Sequence, residues 1–496
     1  MQESGTGTST DEKTADAVEG GFERRLDARL VMAVVAAGIM SFSGVVVETA
    51  MNVAFPSLMA EFDVSTSTVQ WMTTGYLVVL AVIIPTSAYL KRRFPMRRIF
   101  VAAVALFLTG ILIDATAPSF AVLLAGRLIQ GVGTGIALPL MFNIILDQSP
   151  MEHMGLMIGI GSLVTAIAPA VGPSVGGVII QAFSWRMVFV LLVPLLVVSL
   201  VMGLASIRQA TPVGPVRLDW PGEALLACCF ACLIVALSTG VSQGVTIAVA
   251  AFSAVGVTSG VAFVWHTRRC DHPLIDLAVL GRRGFALTLS AIMLFQLVIL
   301  ALGYIIPNYS QLVCGEGSAV AGSLMLPGCL VGACLAPVSG RILDALGARR
   351  PILAGNLLAL ASCVLFCVFS SRLDTPLFIG FYLMFTLGQG LCYGCMTTNG
   401  LSFLPAGLKA DGNAAINTGQ QLAGAVGTSL ATGFVAAAQA GAADVAQGTM
   451  AGASNAFVAL VVCSVGVVVF SLAALRCPKR DADAEDAGVA DAEDAE

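Results

Sequence analysis

Residues 30–56 read LVMAVVAAGIMSFSGVVVETAMNVAFP, and a single acid, Glu48, interrupts an otherwise uncharged run. About 20 mostly apolar residues suffice to cross the hydrocarbon layer as a helix, so this stretch is long enough to span a bilayer. It is no signal peptide. Residues 1–27 are Gly, Ser, Thr and acids, without a short apolar core or a small-residue cleavage site.

The same reading repeats along the chain. Of 496 residues, 57% are hydrophobic and 11% charged, where a soluble domain carries about 25% charged residues. Apolar runs lie near 30–54, 67–90, 97–116, 120–146, 155–181, 186–207, 222–240, 245–265, 284–305, 318–339, 351–370, 376–397, 413–437 and 455–475. The expected fold is an all-α polytopic membrane protein with fourteen transmembrane helices. This excludes a soluble enzyme and a secreted disulfide scaffold. The net charge of −5 offers no basic surface to nucleic acid.

Basic residues set the expected orientation, because they concentrate in cytoplasmic loops. With both termini cytoplasmic, all 25 Lys and Arg fall on that side except Arg186, Arg372 and the intramembrane Arg127. The longest cytoplasmic connections precede the seventh run and follow the eighth. They divide the chain into a disordered N-terminal tail (1–27), a six-helix bundle (28–207), a linker with two additional spans (208–283), a second six-helix bundle (284–480) and an acidic, disordered tail (481–496). Two similar bundles with a site between them at mid-membrane form a transporter architecture.

Charge inside a span is costly and points to function. Glu48 in the first run and Arg127 in the fourth lie about seven residues from the outer ends of their helices, hence at similar depth at about 1.5 Å of rise per residue. They are expected to face each other or to share a water-filled cavity. Ser41, Gly44, Glu48 and Asn52 share one helix face, as do Arg127, Gln130, Gly131 and Thr134. Glu48 is the expected proton carrier. A structural ion pair that fixes helix packing is the competing reading. Asp114, closing the third run, reads as an interfacial residue. Asp147, at the cytoplasmic end of the fourth, reads as a gating partner of the basic loop that holds Arg92. The second bundle has no deep acid, but its thirteenth run carries the amides Asn413, Asn417, Gln420 and Gln421, suited to binding a ligand or to joining helices.

Other chemistry is not expected. The 13 cysteines lie mostly in apolar runs and read as small apolar filler. Cys392 and Cys395 lack a second pair. The three histidines, His153, His266 and His272, read as loop residues that form no ligand set, so no metal site is expected. No phosphate-binding GxxxxGK[ST] loop is present. No cofactor is expected; the proton gradient would drive the protein.

An ordered series of motifs resembles the major facilitator superfamily, specifically its fourteen-span drug:proton antiporters (EmrB/QacA-like). Arg127, Gln130, Gly131, Gly133 and Gly135 are similar to the family's fourth-span motif, whose Arg is linked to proton handling. Gly159, Gly172, Pro173, Gly176 and Gly177 resemble the fifth-span antiporter motif, which marks exporters; Ala168 stands where Gly is usual. Asn52–Pro56, Gln70, Trp71, Tyr76, Trp185, Arg186, Pro307, Tyr309, Gln311, Asn417 and Gln421 are similar too. The sequence departs from the pattern twice. Val47 holds the place of the usual first-span acid, with Glu48 next to it. The loop between the second and third runs, SAYLKRRFPMRR, has Ser87 and Lys91 in place of the family's Gly and Asp. A fuller copy of that cytoplasmic motif is GRILDALGARR, with Gly340, Asp344, Gly347, Arg349 and Arg350.

The resemblance implies a monomeric antiporter of the bacterial inner membrane that expels a lipophilic, drug-like compound in exchange for protons. Glu48 and Arg127 would couple protons. Asn52, Gln130, Thr134, Asn417, Gln420 and Gln421 would line the substrate cavity. Arg92, Asp147, Gly340, Asp344, Gly347 and Arg349 would gate the cytoplasmic side. A dedicated exporter of one metabolite, lipid or antibiotic is the alternative; a non-transporting receptor is a remote one. An intramembrane enzyme lacks a second acid, nucleophile or metal set beside Glu48.

Overall fold

The computed structural model describes residues 27–478, apart from 151–153, 210–212, 215–218, 245, 271–275 and 406–407. The expected disordered tails, His153 and His272 lie outside the described residues. So do the side chain of Asp344 and the surroundings of Gly159.

The long helices, numbered in chain order, are α1 (Ala28–Val53), α2 (Trp71–Ile83), α3 (Met96–Ala115), α4 (Phe120–Gln148), α5 (Met154–Ala182), α6 (Arg186–Ser206), α7 (Trp220–Gln243), α8 (Ile247–Thr267), α9 (Arg283–Leu312), α10 (Leu326–Leu346), α11 (Arg349–Val368), α12 (Thr375–Leu401), α13 (Lys409–Gly441) and α14 (Val445–Leu475). Among the described residues, 13 helices are long and apolar enough to cross a membrane. The fifth expected span corresponds to α5, 29 residues without a charge. In lipid every backbone polar group needs an internal partner, which a helix supplies. Caps complete the ends. Asp27 accepts from Leu30 N at 2.8 Å to start α1. Gly347, with φ of 72°, closes α10 in a conformation that disfavours other residues.

Helix contacts fall into two groups. Helices α1–α6 pack through the α3–α4, α1–α5, α1–α6 and α2–α4 pairs; α9–α14 pack through α11–α12, α9–α13, α10–α12 and α9–α14. Between them stands the hairpin α7–α8, in which α7 touches α13 and α2 while α8 packs on α7. Small residues permit the closest approaches, as membrane helix pairs require. A Cβ on Gly110 of α3 would stand 2.6 Å from the Gly126 carbonyl of α4. A Cβ on Gly355 of α11 would stand 2.6 Å from the Gly388 carbonyl of α12.

The two groups are knit together at the helix ends remote from the chain termini. Asn308 Nδ2 donates to the Asn52 carbonyl at 3.1 Å and Gln311 Nε2 to the Val53 carbonyl at 3.1 Å. Thr66 donates to Gln439 at 2.7 Å, and Thr74 and Ser429 share a bond of 3.2 Å. Ser174 donates to the Gly322 carbonyl at 3.2 Å and Ser318 to the Gly177 carbonyl at 3.1 Å. Among the described residues, no hydrogen bond joins α1–α6 to α9–α14 at the opposite ends. The fold is therefore closed on the side remote from the termini.

Candidate functional site

Three charged side chains are buried where α1, α3 and α4 meet. Arg127 and Asp114 are fully buried, and Glu48 is 6% exposed. Helix periodicity brings them there. The α1 face holding Ser41, Gly44, Glu48 and Asn52 turns inward: Ser41 donates to the Ala137 carbonyl of α4 at 3.3 Å, and a Cβ on Gly44 would stand 2.5 Å from Thr134 Cγ2. Missing side-chain bulk at Gly44 thus lets α1 and α4 approach and sets the depth of Glu48.

Arg127 is held from two sides. Its Nη1 donates to Gln130 Oε1 at 2.7 Å, one helical turn on. Its guanidinium lies 4.2 Å from the centre of the Tyr76 ring, a cation–π contact that strengthens when desolvated. Tyr76 is itself fixed, donating to Thr134 Oγ1 at 2.8 Å and to the Gly44 carbonyl at 3.1 Å. Arg127 Nε and Nη2 remain without partners, as do both carboxylate oxygens of Asp114. The arginine's charge acts on both Glu48 and Asp114. No ion pair joins it to either acid among the described residues. A structural Glu48–Arg127 salt bridge is thus not formed; the acids flank a guanidinium that still has two free donors.

Asp114 corrects the sequence reading. It is not interfacial but fully buried. Gly126, which has no side chain to displace it, leaves room for its carboxylate against α4. The signal was present in the run ILIDATA, where the acid follows Gly110 by one turn on the face that packs against α4.

The remaining expected site residues separate into groups. Gln130 and Thr134 belong to the buried Arg127–Tyr76 network. Asn52 accepts from Thr73 Oγ1 at 3.3 Å and lies in the closed seam. Asn417 is exposed on the first half of α13, where its Nδ2 donates to the Asn413 carbonyl at 2.9 Å. Gln420 and Gln421 are half-buried on the same helix. The six are therefore split between the buried network, the closed seam and the open side. A groove of about 720 Å³ lies elsewhere, on the α7–α8 hairpin, lined by residues such as Leu233, Val257 and Trp265.

The glycines of α5 form the seam. A Cβ on Gly176 would stand 2.6 Å from Ala50 Cβ, and one on Gly172 would lie 2.9 Å from the Val46 carbonyl, both on α1. Gly177 and Pro173 instead meet the helix Ser318–Ser323 of the other group. Outside the spans, Glu61 accepts from Trp185 Nε1 at 2.6 Å and Arg186 Nη1 at 2.5 Å. Desolvation pushes the Glu61 carboxyl up, but the bonds from Trp185 and Arg186 and the arginine's charge outweigh it and hold it below its ordinary value.

At the opposite ends, Asp147 pairs with Lys91 at 2.6 Å rather than with Arg92. One residue is about 100° round a helix, so Lys91 faces α4 while Arg92 is exposed. This link lies within α1–α6. Gly340 and Arg349 are exposed, and Arg349 has no ion pair among the described residues. His266 corrects a second reading. It is no loop residue: it lies in the last turn of α8 and bonds Asp219 at 2.7 Å.

Comparison with known proteins places this architecture. The Major Facilitator Superfamily model matches residues 37–428. The chain belongs to the major facilitator superfamily: it is a multi-pass membrane protein of a transporter family. It is similar to the lincomycin resistance protein LmrB of Listeria monocytogenes, with 33% identity over 439 residues, covering 86% of this chain and 93% of that protein. It is also similar to the multidrug resistance protein B homolog of Mycobacterium tuberculosis, with 29% identity over 413 residues, covering 82% and 76%. In fold it resembles a bacterial homologue of the human lysosomal transporter Spinster in an inward-facing, unoccupied conformation, with a TM-score of 0.67 at 14% identity, covering 91% and 98%. A D-xylose–proton symporter matches with a TM-score of 0.64 at 13% identity, covering 91% and 98%. Family and relatives support drug efflux in general terms.

Proposed function

We propose that the protein exports a lipophilic, drug-like compound across the bacterial cytoplasmic membrane in exchange for protons. The observation that carries this reading is the buried set Glu48, Asp114 and Arg127, with unpaired donors and acceptors beside a seam closed at the ends remote from the termini. Ion pairs locked in place could not respond to binding. Acids held near a partly unsatisfied guanidinium respond to small displacements, because charge interactions in a low-dielectric site change steeply with distance. In the proposed cycle Glu48 takes a proton when the cavity faces outward and loses it when the cavity faces inward. Arg127 tunes that exchange, Asp114 adds a second buried acid within reach of the arginine's charge, and the α5 seam prevents leak. With the termini placed in the cytoplasm, the closed ends of the seam face outward. A neutral or singly charged substrate fits a site with so few deep acids. The relatives' names, lincomycin and multidrug resistance, support this substrate class.

The test uses protein in liposomes containing a pH-sensitive dye, with a panel of lipophilic drugs and lincomycin. Wild type is expected to move protons in response to substrate. Glu48→Gln is expected to fold normally and bind substrate but to lose proton movement. Wild-type coupling in that variant sinks the assignment. Drug binding without proton flux in either protein favours a uniporter or receptor.

A further inference from the structure

The base of the α7–α8 hairpin brings together a donor set that the transport reading does not use. Asp219 caps the start of α7, His266 ends α8, and Cys270 follows within four residues. One ligand atom from each lies within 4.8 Å of the others. Asp219 Oδ1 bonds His266 at 2.7 Å and accepts from Gly222 N at 3.0 Å. A capping bond and a histidine contact would account for these two distances alone. They do not account for the rest of the cluster.

Asp219 Oδ2 and both carboxylate oxygens of Glu223 have no partner, although each residue is only 8% exposed. Glu223 lies one turn after Asp219 on α7, near enough for their charges to interact. Among the described residues, only His266 offers a side-chain cation to either acid. Two neighbouring buried carboxylates that share a single histidine among the described residues and leave three oxygens unpartnered are unfavourable, and a divalent cation resolves that conflict. The donor types O, N and S match zinc, which takes Asp/Glu, His and Cys in a tetrahedral shell at about 2.0–2.3 Å and in many sites keeps one position of that shell for water. Ligand atoms in such a shell stand roughly 3.3–3.8 Å apart, so drawing in the trio needs only about 1 Å of side-chain movement.

We propose that Asp219, His266 and Cys270 form a site for a divalent transition-metal ion of the zinc type, with the Glu223 carboxylate close by on α7 adding negative charge. Binding releases the Cys270 thiol proton and leaves the histidine proton on Nδ1, freeing Nε2 for the metal. The site clamps the two ends of the hairpin at the membrane edge, at the ends near the chain termini. It acts apart from the Glu48–Arg127 set.

The test is Zn²⁺ titration of the metal-stripped full-length protein in detergent, by calorimetry and by alkylation of Cys270 read by mass spectrometry. Wild type is expected to bind one Zn²⁺, and Zn²⁺ to slow Cys270 alkylation at least tenfold. Cys270→Ser and His266→Ala should each weaken binding at least tenfold, whereas Cys477→Ser should not. In His266→Ala, Zn²⁺ should no longer protect Cys270, which separates ligation from folding because alkylation without metal reports an intact hairpin. Equal affinity in all four proteins, or unprotected Cys270 in zinc-loaded wild type, would overturn the site.

Discussion

The two helix groups share a backbone plan and differ in what they place on it. Gly110 meets Gly126 between α3 and α4 as Gly355 meets Gly388 between α11 and α12. A Cβ on Gly110 would next strike Gln130 Cγ, and one on Gly355 would strike Cys392 Cβ, each at 2.5 Å. Stepping along from these contacts, Asp114 corresponds to Ala359, Arg127 to Gln389 and Gln130 to Cys392. One half carries buried charge where the other carries small or neutral groups. In the second half, polar groups form ordinary bonds instead: Tyr393 donates to Gln296 at 2.8 Å, and Asn356 to Ser471 at 2.9 Å. Close helix packing is therefore a property of the fold, while buried charge, among the described residues of the two groups, is an addition to one copy of it.

Substitutions that exchange the two halves' chemistry should break this asymmetry. The largest expected effect is Arg127→Gln, which makes α4 resemble α12 and leaves Glu48 and Asp114 without a cation. It should destabilise by roughly 3–5 kcal/mol and abolish coupled transport, as read by thermal unfolding in detergent and by liposome flux. An unchanged melting temperature would show that the charges do not sense one another. Next comes the reverse exchange. Ala359→Asp buries an unpaired acid and should destabilise by about 3 kcal/mol, part of which Gln389→Arg should restore. No rescue in the double variant would refute the correspondence of the two halves.

Gly176→Leu leaves the charges alone and attacks the seam. Crowding Ala50 should destabilise by about 1–3 kcal/mol, spoil proton coupling and spare expression; unchanged efflux would remove α5 from the mechanism. The smallest effect concerns Glu61, whose carboxyl lies below its ordinary value of 4.5. A depressed carboxyl stabilises fully above that ordinary value and loses its contribution as pH falls through the folded value. Wild type should therefore lose slightly more stability on acidification than Glu61→Gln, measured by melting between neutral and acidic pH.

Much of this was legible in the sequence. Apolar runs of span length gave the helices, because length and composition alone decide whether a helix can cross a bilayer. Glu48 and Arg127 stood out because charge in such a run is costly and needs a functional or structural reason. Asp114 was misread because its position near the end of α3 suggested the interface; nothing linear shows that Gly126 leaves a recess there. Lys91 displaced Arg92 as the partner of Asp147 because neighbouring residues on a helix face different directions. His266 and Asp219 are 47 positions apart, and only the closing of the hairpin makes them neighbours.

The buried set has a further consequence in electrical terms. With both acids ionised and Arg127 charged, it carries one net negative charge; with one proton added it is neutral. In the proposed cycle a neutral compound leaves on a negatively charged carrier, which an inside-negative membrane drives outward with about 2.3 kcal/mol per charge for each 100 mV. A monocationic compound leaves on a carrier with no net charge and draws only on the pH difference. In that proposed cycle the same three side chains would let the voltage act on some cargoes and not on others.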